Sequence, residues 1–280
     1  MKRPLFLLLP GILAAVLFSS CATGPMPAPD AAGRLKGPIP TNGPTTEASA
    51  LPPKRQYRPG LATGWGKEKE SKFNQQDFVR ASSKPAGIDA IYYNDKEGIK
   101  AMSDHLESVE PLQTAAGALV EWGIKGGLGY LPAYKEGSYW RRMSARNGNY
   151  DRRMVAGDKD GTYSIYVKNR SKSALEIVAS VDGLDVMDGK TASFSKRGYI
   201  VNAGETLTID GFRTSYSSVA SFKFSSVSNS YANMRHGDTR NVGVIGLAVF
   251  TQKGVDPWTW MPDEVKQRGN ARAFSDAPGQ

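Results

Sequence analysis

Apolar and polar residues alternate along the second half of the chain, between Gly161 and Gln252. Because successive side chains of a strand point to opposite faces, this period of two predicts strands with one buried face. The predicted strands cover residues 163–168, 175–181, 197–201, 205–210, 219–224 and 242–251. Turn-forming residues separate these short segments, so we predict an antiparallel β-sandwich or barrel over residues 158–254.

The last of these segments, Val242–Phe250, is apolar almost throughout. A continuous apolar run of this length is typical of a strand that is buried on both faces. Gly243 and Gly246 lie within it and indicate a bulge or the close approach of a neighbouring strand.

A helical spacing precedes the predicted sheet. Apolar residues recur at steps of three and four over Ile99–Val109 and, after Pro111, over Leu112–Trp122. This spacing predicts amphipathic helices, and the glycines of Gly123–Gly129 would end the second one. The predicted fold class is therefore α+β, with a mixed helix-containing region at residues 61–157 ahead of the mainly antiparallel β-sandwich or barrel.

Two flanking segments lack this periodicity. Residues 21–60 include nine of the chain's 17 prolines, and such a composition predicts a disordered, Pro-rich tether. Residues 255–280 form a C-terminal tail in which Trp258 and Trp260 would share one face of a strand. The two rings either close the core or stand out as an anchor, and we expect them to close the core.

The first twenty residues, Met1–Ser20, have the layout of a secretory signal peptide. Lys2 and Arg3 precede an apolar run, and small residues follow that run. The apolar run is shorter than the about 20 residues that span a bilayer. Signal cleavage is therefore predicted between Ser20 and Cys21, which is the only cysteine of the sequence.

The segment Leu17-Phe18-Ser19-Ser20-Cys21-Ala22 resembles the lipobox of bacterial lipoproteins. The resemblance implies cleavage by the type II signal peptidase and lipidation of Cys21, although the family prefers Leu at the position of Phe18. Ala22, rather than Asp, implies a lipid anchor in the outer membrane of a Gram-negative host, with either the periplasmic or the surface-facing side open. The alternative is an ordinary secretory signal that is cut near the same position.

The chain is basic. Its formal net charge is +9, which falls to +7 when Met1–Ser20 is removed with its two basic residues. A basic surface attracts anionic lipids, glycans or nucleic acid, but Lys and Arg are scattered among Asp and Glu, and export disfavours nucleic acid. The predicted partners are the membrane, through the N-terminal lipid, and an envelope protein or glycan.

A basic, aromatic stretch is one candidate ligand-binding site. It consists of Tyr139, Trp140, Arg141 and Arg142. The aromatic rings could stack on a sugar, a lipid headgroup or a base, and the arginines could add cationic contacts to the same ligand. The alternative interpretation is the edge of a strand or helix, with aromatic residues in the core and solvated arginines.

Three aspartates form a candidate calcium site. Asp182, Asp185 and Asp188 lie three residues apart, and carboxylate oxygens on a loop are ligands that Ca²⁺ prefers. The spacing differs from that of an EF-hand, and Asp-Gly pairs also form ordinary turns. We predict no cofactor and no other metal.

Few residues indicate catalysis. The two histidines, His105 and His236, do not belong to an HExxH motif, and the sequence has no GxSxG nucleophile elbow. A catalytic triad assembled from distant residues stays open, but the polar residues have simpler structural roles. We therefore expect a protein that is not an enzyme.

Parts of the predicted β domain resemble a domain of uncharacterised bacterial lipoproteins. The resemblance is carried by residues 178–190, 195–199 and 241–248. It implies a stable module and supplies no activity and no functional residues. The predicted function is a lipid-anchored envelope protein that acts as a non-catalytic binding or scaffolding module for a protein or glycan partner. The alternative is an envelope hydrolase that acts on a cell-wall or surface polymer.

Overall fold

The computed structural model describes residues 57–72, 76–103, 105–137, 152–258 and 268–271. In chain order the strands are β1 (Leu61–Glu70), β2 (Gly87–Asn94), β3 (Leu106–Val109), β4 (Gln113–Ala115), β5 (Val120–Gly126), β6 (Gly129–Tyr130), β7 (Ala133–Glu136), β8 (Arg153–Ala156), β9 (Thr162–Asn169), β10 (Leu175–Val181), β11 (Leu184–Asp185), β12 (Tyr199–Val201), β13 (Thr206–Ile209), β14 (Gly211–Arg213), β15 (Ser218–Ser226) and β16 (Val244–Thr251). The helices are α1 (Lys96–Met102), α2 (Tyr231–His236) and a 3-10 helix at Val227–Asn229.

Within these described ranges, the strands form two eight-stranded sheets. Sheet A has the order β1-β15-β9-β5-β4, with β14, β13 and β6 attached to β15, β9 and β5. Sheet B has the order β11-β10-β16-β2-β8-β7-β3, with β12 attached to β10. Most neighbours are antiparallel, whereas β2 and β8 are parallel. The predicted β-rich fold, with sheets in a sandwich-like arrangement, is confirmed.

One hydrophobic core holds the sheets together. Trp122, Ile165 and Phe222 of sheet A and Ile177 and Leu247 of sheet B belong to this core and are almost completely buried. Burial of apolar surface is the dominant favourable contribution to folding. The layer between the sheets is therefore what stabilises the protein.

The strands predicted for the second half of the chain are confirmed. They correspond to β9, β10, β12, β13, β15 and β16. β16 is buried on both faces, because Leu247 and Val249 belong to the main core while Ala248 and Phe250 belong to a second, smaller cluster. At Gly246, a Cβ atom would lie 2.7 Å from the Ser180 hydroxyl oxygen. The close approach of Ser180 in the neighbouring strand β10 therefore explains why a glycine stands here.

The helix predicted over Leu112–Trp122 is wrong. This segment contains β4 and the start of β5, and β5 pairs with β9 in sheet A. Val120 and Trp122 are both buried and lie two residues apart, so the short run fits alternation as well as helical spacing. Pairing with β9, which is distant in sequence, selects the strand, and local spacing does not reveal such pairing.

The helix predicted over Ile99–Val109 is shorter than expected and starts earlier. α1 spans Lys96–Met102, whereas Leu106–Val109 forms β3 and pairs with β7. The second half of the predicted helix therefore becomes an edge strand of sheet B, because it pairs with β7.

The predicted boundary near residue 157 does not divide the fold. Strands β1 and β5, from the predicted helix-containing region, pair with β15 and β9 from the predicted β domain. Strand β2 likewise pairs with β16. Both regions share the same sheets and the same core.

Part of the outer face of sheet B is covered by the segment that precedes β2. Arg80 forms a two-pronged ion pair with the buried Glu176, with distances of 2.7 Å from Nε to Oε2 and 3.1 Å from Nη2 to Oε1. Its guanidinium carbon also lies 3.6 Å from the centre of the Phe250 ring. Burial opposes the charge of Glu176, but hydrogen bonds from Arg80 and from the Gly198 amide hold its pKa below the ordinary value.

Candidate functional site

A groove lies on the outer face of sheet B, between α1 and the strands β3, β7 and β8. Its volume is about 620 Å³. The lining residues are Lys96, Ile99 and Lys100 of α1, Ser103 directly after α1, Leu106 and Ser108 of β3, Tyr134 of β7 and Ala156 of β8. We call this feature the α1 groove.

Local hydrogen bonds fix the start of α1 above the sheet. The Asp95 carboxylate accepts a hydrogen bond from the Gly98 amide at 2.6 Å and so caps the helix. Gly98 is needed here, because a Cβ atom would lie 2.2 Å from the Asn94 side chain. Ile99 is then buried in a small cluster with Ala156, which holds the helix against the outer face.

The groove has an apolar floor and a basic rim. Ile99 and Ala156 are buried on the floor, whereas Lys96 and Lys100 are exposed and lie four residues apart on α1. The half-buried Tyr134 ring provides an apolar face and a hydroxyl group. This combination of groups can bind a sugar-like ligand that has an apolar ring face and carries anionic groups.

The predicted basic, aromatic stretch lies outside the described residues. Tyr139, Trp140, Arg141 and Arg142 belong to the connection between β7 and β8. Both of these strands line the α1 groove. Where the connection reaches β8, the Arg152 guanidinium carbon lies 5.1 Å from the centre of the Tyr92 ring, in a cation–π contact.

The predicted lipidation and signal-cleavage residues, Ser20 and Cys21, also lie outside the described residues.

The three aspartates of the candidate calcium site have separate partners. Asp182 accepts hydrogen bonds inside the fold, Asp185 accepts one from the Met187 amide at 2.8 Å, and Asp188 pairs with Lys196 at 2.7 Å. Within the described part of the chain, no group of three or more His, Cys, Asp or Glu side chains is placed to hold a metal ion. The structure therefore gives these carboxylates roles in turns and ion pairs.

A buried polar network joins the two sheets at Asp182. The Tyr93 hydroxyl donates to Asp182 at 2.6 Å, and Thr63 Oγ1 lies 2.7 Å from the Tyr93 hydroxyl and 2.6 Å from the Tyr163 hydroxyl. Because the proton of Tyr93 is used on the carboxylate, Thr63 must donate to Tyr93, and Tyr163 must donate to Thr63. Burial raises the pKa values of Tyr93 and Tyr163 well above the ordinary range, so both tyrosines stay protonated donors.

Asp182 also caps the outer edge of sheet A. Its carboxylate accepts hydrogen bonds from the Thr63 amide at 2.7 Å and from the Gly243 amide at 2.9 Å. Thr63 lies in the edge strand β1, so the side chain occupies a position that a further strand would otherwise take. The network is therefore structural, and it binds β1 to sheet B.

The two histidines have different surroundings. His105 is exposed just before β3. His236 ends α2, and its Nε2 lies 3.0 Å from the Gly189 carbonyl oxygen, to which it donates. Neither histidine lines the α1 groove.

The C-terminal tryptophans were predicted to share a strand face. Trp258 lies in an irregular segment after β16 and is 48% exposed. Its ring covers Gly117, where a Cβ atom would approach the ring to 2.5 Å. Trp260 lies outside the described residues. Of the two rings, the structure therefore describes only that of Trp258, which covers Gly117 but stays half exposed.

The α1 groove does not appear among the sequence-based predictions, although the sequence contains a signal for it. Lys96 and Lys100 lie four residues apart, which places them on one face of a helix, and Ser103 follows directly after the end of α1. Their joint orientation toward β3 becomes visible only once the end of α1 and the pairing of β3 are fixed.

The helices of the described ranges are all too short or too polar to cross a membrane. In comparisons with known proteins, the chain matches no protein-family model, no curated protein and no solved structure.

Proposed function

We propose that this protein is a lipid-anchored outer-membrane protein of the cell envelope that binds an anionic glycan without catalysing a reaction. The α1 groove carries the proposal. Its two exposed lysines would pair with carboxylate or phosphate groups, and its apolar floor with Tyr134 would contact a sugar ring. The lipobox-like segment at Cys21 supports the anchor.

The Pro-rich segment between Cys21 and β1 fits the same function. Its composition predicts a tether that keeps the folded body near the membrane while leaving its orientation free. A tether of this kind raises the local concentration of a binding site for an immobile polymer, so a modest affinity is sufficient.

The alternative function, an envelope hydrolase, needs a nucleophile or a pair of carboxylates beside the bound polymer. The described lining of the α1 groove instead consists of lysines, hydroxyl groups and apolar side chains. These are groups that hold a ligand, and they favour the binding function.

The test is binding of isolated envelope glycan by the purified protein. The double variant Lys96→Ala and Lys100→Ala should weaken binding about tenfold, because two surface charge contacts together contribute roughly 1–2 kcal/mol. The matched control is Lys159→Ala with Lys253→Ala, which removes the same charge from exposed positions outside the groove lining. Co-sedimentation or calorimetric titration gives the affinities.

A blocking variant separates the site from general charge. Ser108→Trp should fill the α1 groove and reduce binding while the net charge stays the same. The proposal fails if all variants bind the glycan as tightly as the wild type, or if the control pair loses as much affinity as the groove pair. Capture of a protein in place of glycan would turn the proposal toward scaffolding.

A further inference from the structure

A second surface, remote in sequence from the α1 groove, exposes an aromatic ring that the fold holds rigidly. Trp65 of β1 lies 4.6 Å from Tyr231 of α2 and 6.2 Å from Phe212 of β14, measured between ring centres. The Phe212 and Tyr231 rings are themselves 4.9 Å apart. We call Trp65, Phe212, Tyr231 and Met234, which lies three residues after Tyr231 on α2, the Trp65 patch.

The patch combines a buried aromatic ring with two exposed apolar side chains. Phe212 is 1% exposed, whereas Trp65 and Met234 are 48% and 62% exposed. The pairing of β1 with β15 shifts its register between Trp65 and Glu68. Such a bulge re-aims the side chains of an edge strand, and here the aromatic contacts then hold Trp65 in place.

Charged groups around the patch include both signs. Lys67, Arg235 and Lys190 are exposed, and they lie on β1, on α2 and in the turn beside Tyr231. Among the acidic groups, Glu68 is exposed on β1, while Asp188 is held by Lys196 at 2.7 Å. A half-exposed tryptophan and a methionine with nearby basic side chains are the residue types that favour the boundary between lipid headgroups and acyl chains.

The chain enters the fold beside this patch. The Arg58 guanidinium donates a hydrogen bond to the Thr239 carbonyl oxygen, in the loop that follows α2. Strand β1 then begins at Leu61, four residues before Trp65. An attachment of the N-terminal segment to a membrane would therefore place the end of the molecule with α2 and the start of β1 nearest to that membrane.

We propose that the Trp65 patch contacts the surface of the lipid bilayer to which the N-terminus is anchored. A flexible coil with the length of residues 22–56 would span about 30–35 Å on average, and its prolines are expected to extend it beyond that value, so the patch stays within reach of the bilayer. At the high effective concentration that a short tether produces, the weak insertion of one tryptophan and one methionine is sufficient to orient the body.

This orientation would leave the rest of the surface free for binding. The Trp65 patch involves β1, β14 and α2, whereas the α1 groove involves α1, β3, β7 and β8. The inference uses the anchor of the proposed function for the effective concentration, but the bilayer contact itself can be tested without the anchor and without the glycan.

The test uses the chain from Ala22 onward, which lacks the lipidation site and keeps both sheets. Binding to vesicles of phosphatidylethanolamine and phosphatidylglycerol is measured by co-sedimentation at millimolar lipid, together with the tryptophan emission maximum. The wild type should bind with a blue-shifted emission. Trp65→Ala should lower the partition coefficient at least about fivefold, because it removes roughly 1–2 kcal/mol of apolar transfer.

Two further variants keep the result independent of folding. Met234→Ser changes a 62% exposed side chain outside the aromatic stack and should also lower the partition coefficient. Trp258→Ala is the matched control, because Trp258 is as exposed as Trp65, at 48%, and lies after β16. Thermal unfolding verifies that each variant is folded.

The proposal is overturned if the wild type stays in the supernatant at millimolar lipid, or if Trp65→Ala binds as the wild type does. An equal loss in Trp258→Ala would also overturn it, because the effect would then belong to any exposed tryptophan. The pair Lys96→Ala and Lys100→Ala should bind vesicles normally. Failure of glycan binding alone would affect the proposed function and leave the bilayer contact intact.

Discussion

Two aspartates that lie three residues apart show how much the hydrogen-bond donors around a carboxylate matter. Burial raises the pKa of both Asp182 and Asp185 to about 6. Asp182 receives donors on both oxygens. Asp185 receives amide donors on Oδ1, whereas its buried Oδ2 has no hydrogen-bond partner among the described residues. The same chemical change should therefore have opposite effects at the two positions.

Asp185→Asn should stabilise the protein at neutral pH. The folded-state pKa is raised above that of the unfolded chain, so the folded state binds the proton more tightly and loses stability as the pH rises from about 4 through 6. The amide removes this buried charge, and its NH₂ group replaces an oxygen that already lacks a partner and meets no opposing donor. The free energy of unfolding should therefore rise by about 1 kcal/mol at neutral pH. Urea denaturation at neutral and acidic pH should show that the gain disappears as the wild-type carboxyl becomes protonated.

Asp182→Asn should destabilise the protein at both pH values. Either orientation of the amide places its NH₂ group against the Thr63 amide or the Gly243 amide, which are also donors. A buried donor left without an acceptor costs about 1–3 kcal/mol, so the free energy of unfolding should fall by about 2 kcal/mol. Equal shifts in Asp182→Asn and Asp185→Asn would contradict this assignment of donors.

At the scale of elements, the short helix α1 connects the fold to the proposed binding site. It brings three of the groove-lining residues into position, and only Ile99 of the helix is buried. A helix of this length is unstable in isolation. Its order therefore depends on the Asp95 cap and on the contact of Ile99 with sheet B.

Removing the cap should affect binding more than global stability. Asp95→Ala leaves the Gly98 amide without its acceptor and should destabilise the helix by about 1 kcal/mol. We expect several-fold weaker glycan binding and faster hydrogen exchange of the Ile99 amide, with a smaller change in the exchange of the β9 amides. Asp95→Asn keeps a capping oxygen and is the control. Unchanged exchange at Ile99 in Asp95→Ala would show that packing alone orders α1.

At the scale of the whole molecule, the two sheets share one core, and the N-terminal part of the chain is integrated into both. β1 forms an edge of sheet A and β2 lies inside sheet B. The folded body therefore cannot be cut near residue 157 without opening both sheets. Under the proposed function, a folded body of this kind, attached through its N-terminal segment, would present one face to a bilayer and another to a polymer.

The proposed anchor makes a direct prediction. Cys21→Ala in the full chain should move the protein from the membrane fraction to the soluble fraction, because one lipidated residue would be the main membrane attachment and the Trp65 patch alone binds weakly. Fractionation with immunoblotting measures the distribution, and the intact mass of the wild type reports the acyl chains. Retention of Cys21→Ala in the membrane fraction would contradict the anchor.

Sequence alone determined the β-rich character of the second half of the chain. In β9 and β10 the alternation of Tyr163, Ile165 and Val167, and of Ile177 and Ala179, sets which side chains enter the core, because a strand offers only two faces. The turn residues between these strands set the limits of each. For β16, the apolar run was sufficient to predict burial on both faces.

Only the tertiary structure decided what the first half of the fold becomes. Leu112–Trp122 satisfies a helical spacing, but pairing with β9 makes the end of it a strand, and β7 does the same for Leu106–Val109. The α1 groove and the Trp65 patch are assembled from distant segments, so no local pattern contains them. Local periodicity fixes the face that a side chain takes, whereas pairing between distant strands fixes which faces meet and which stay open to a ligand.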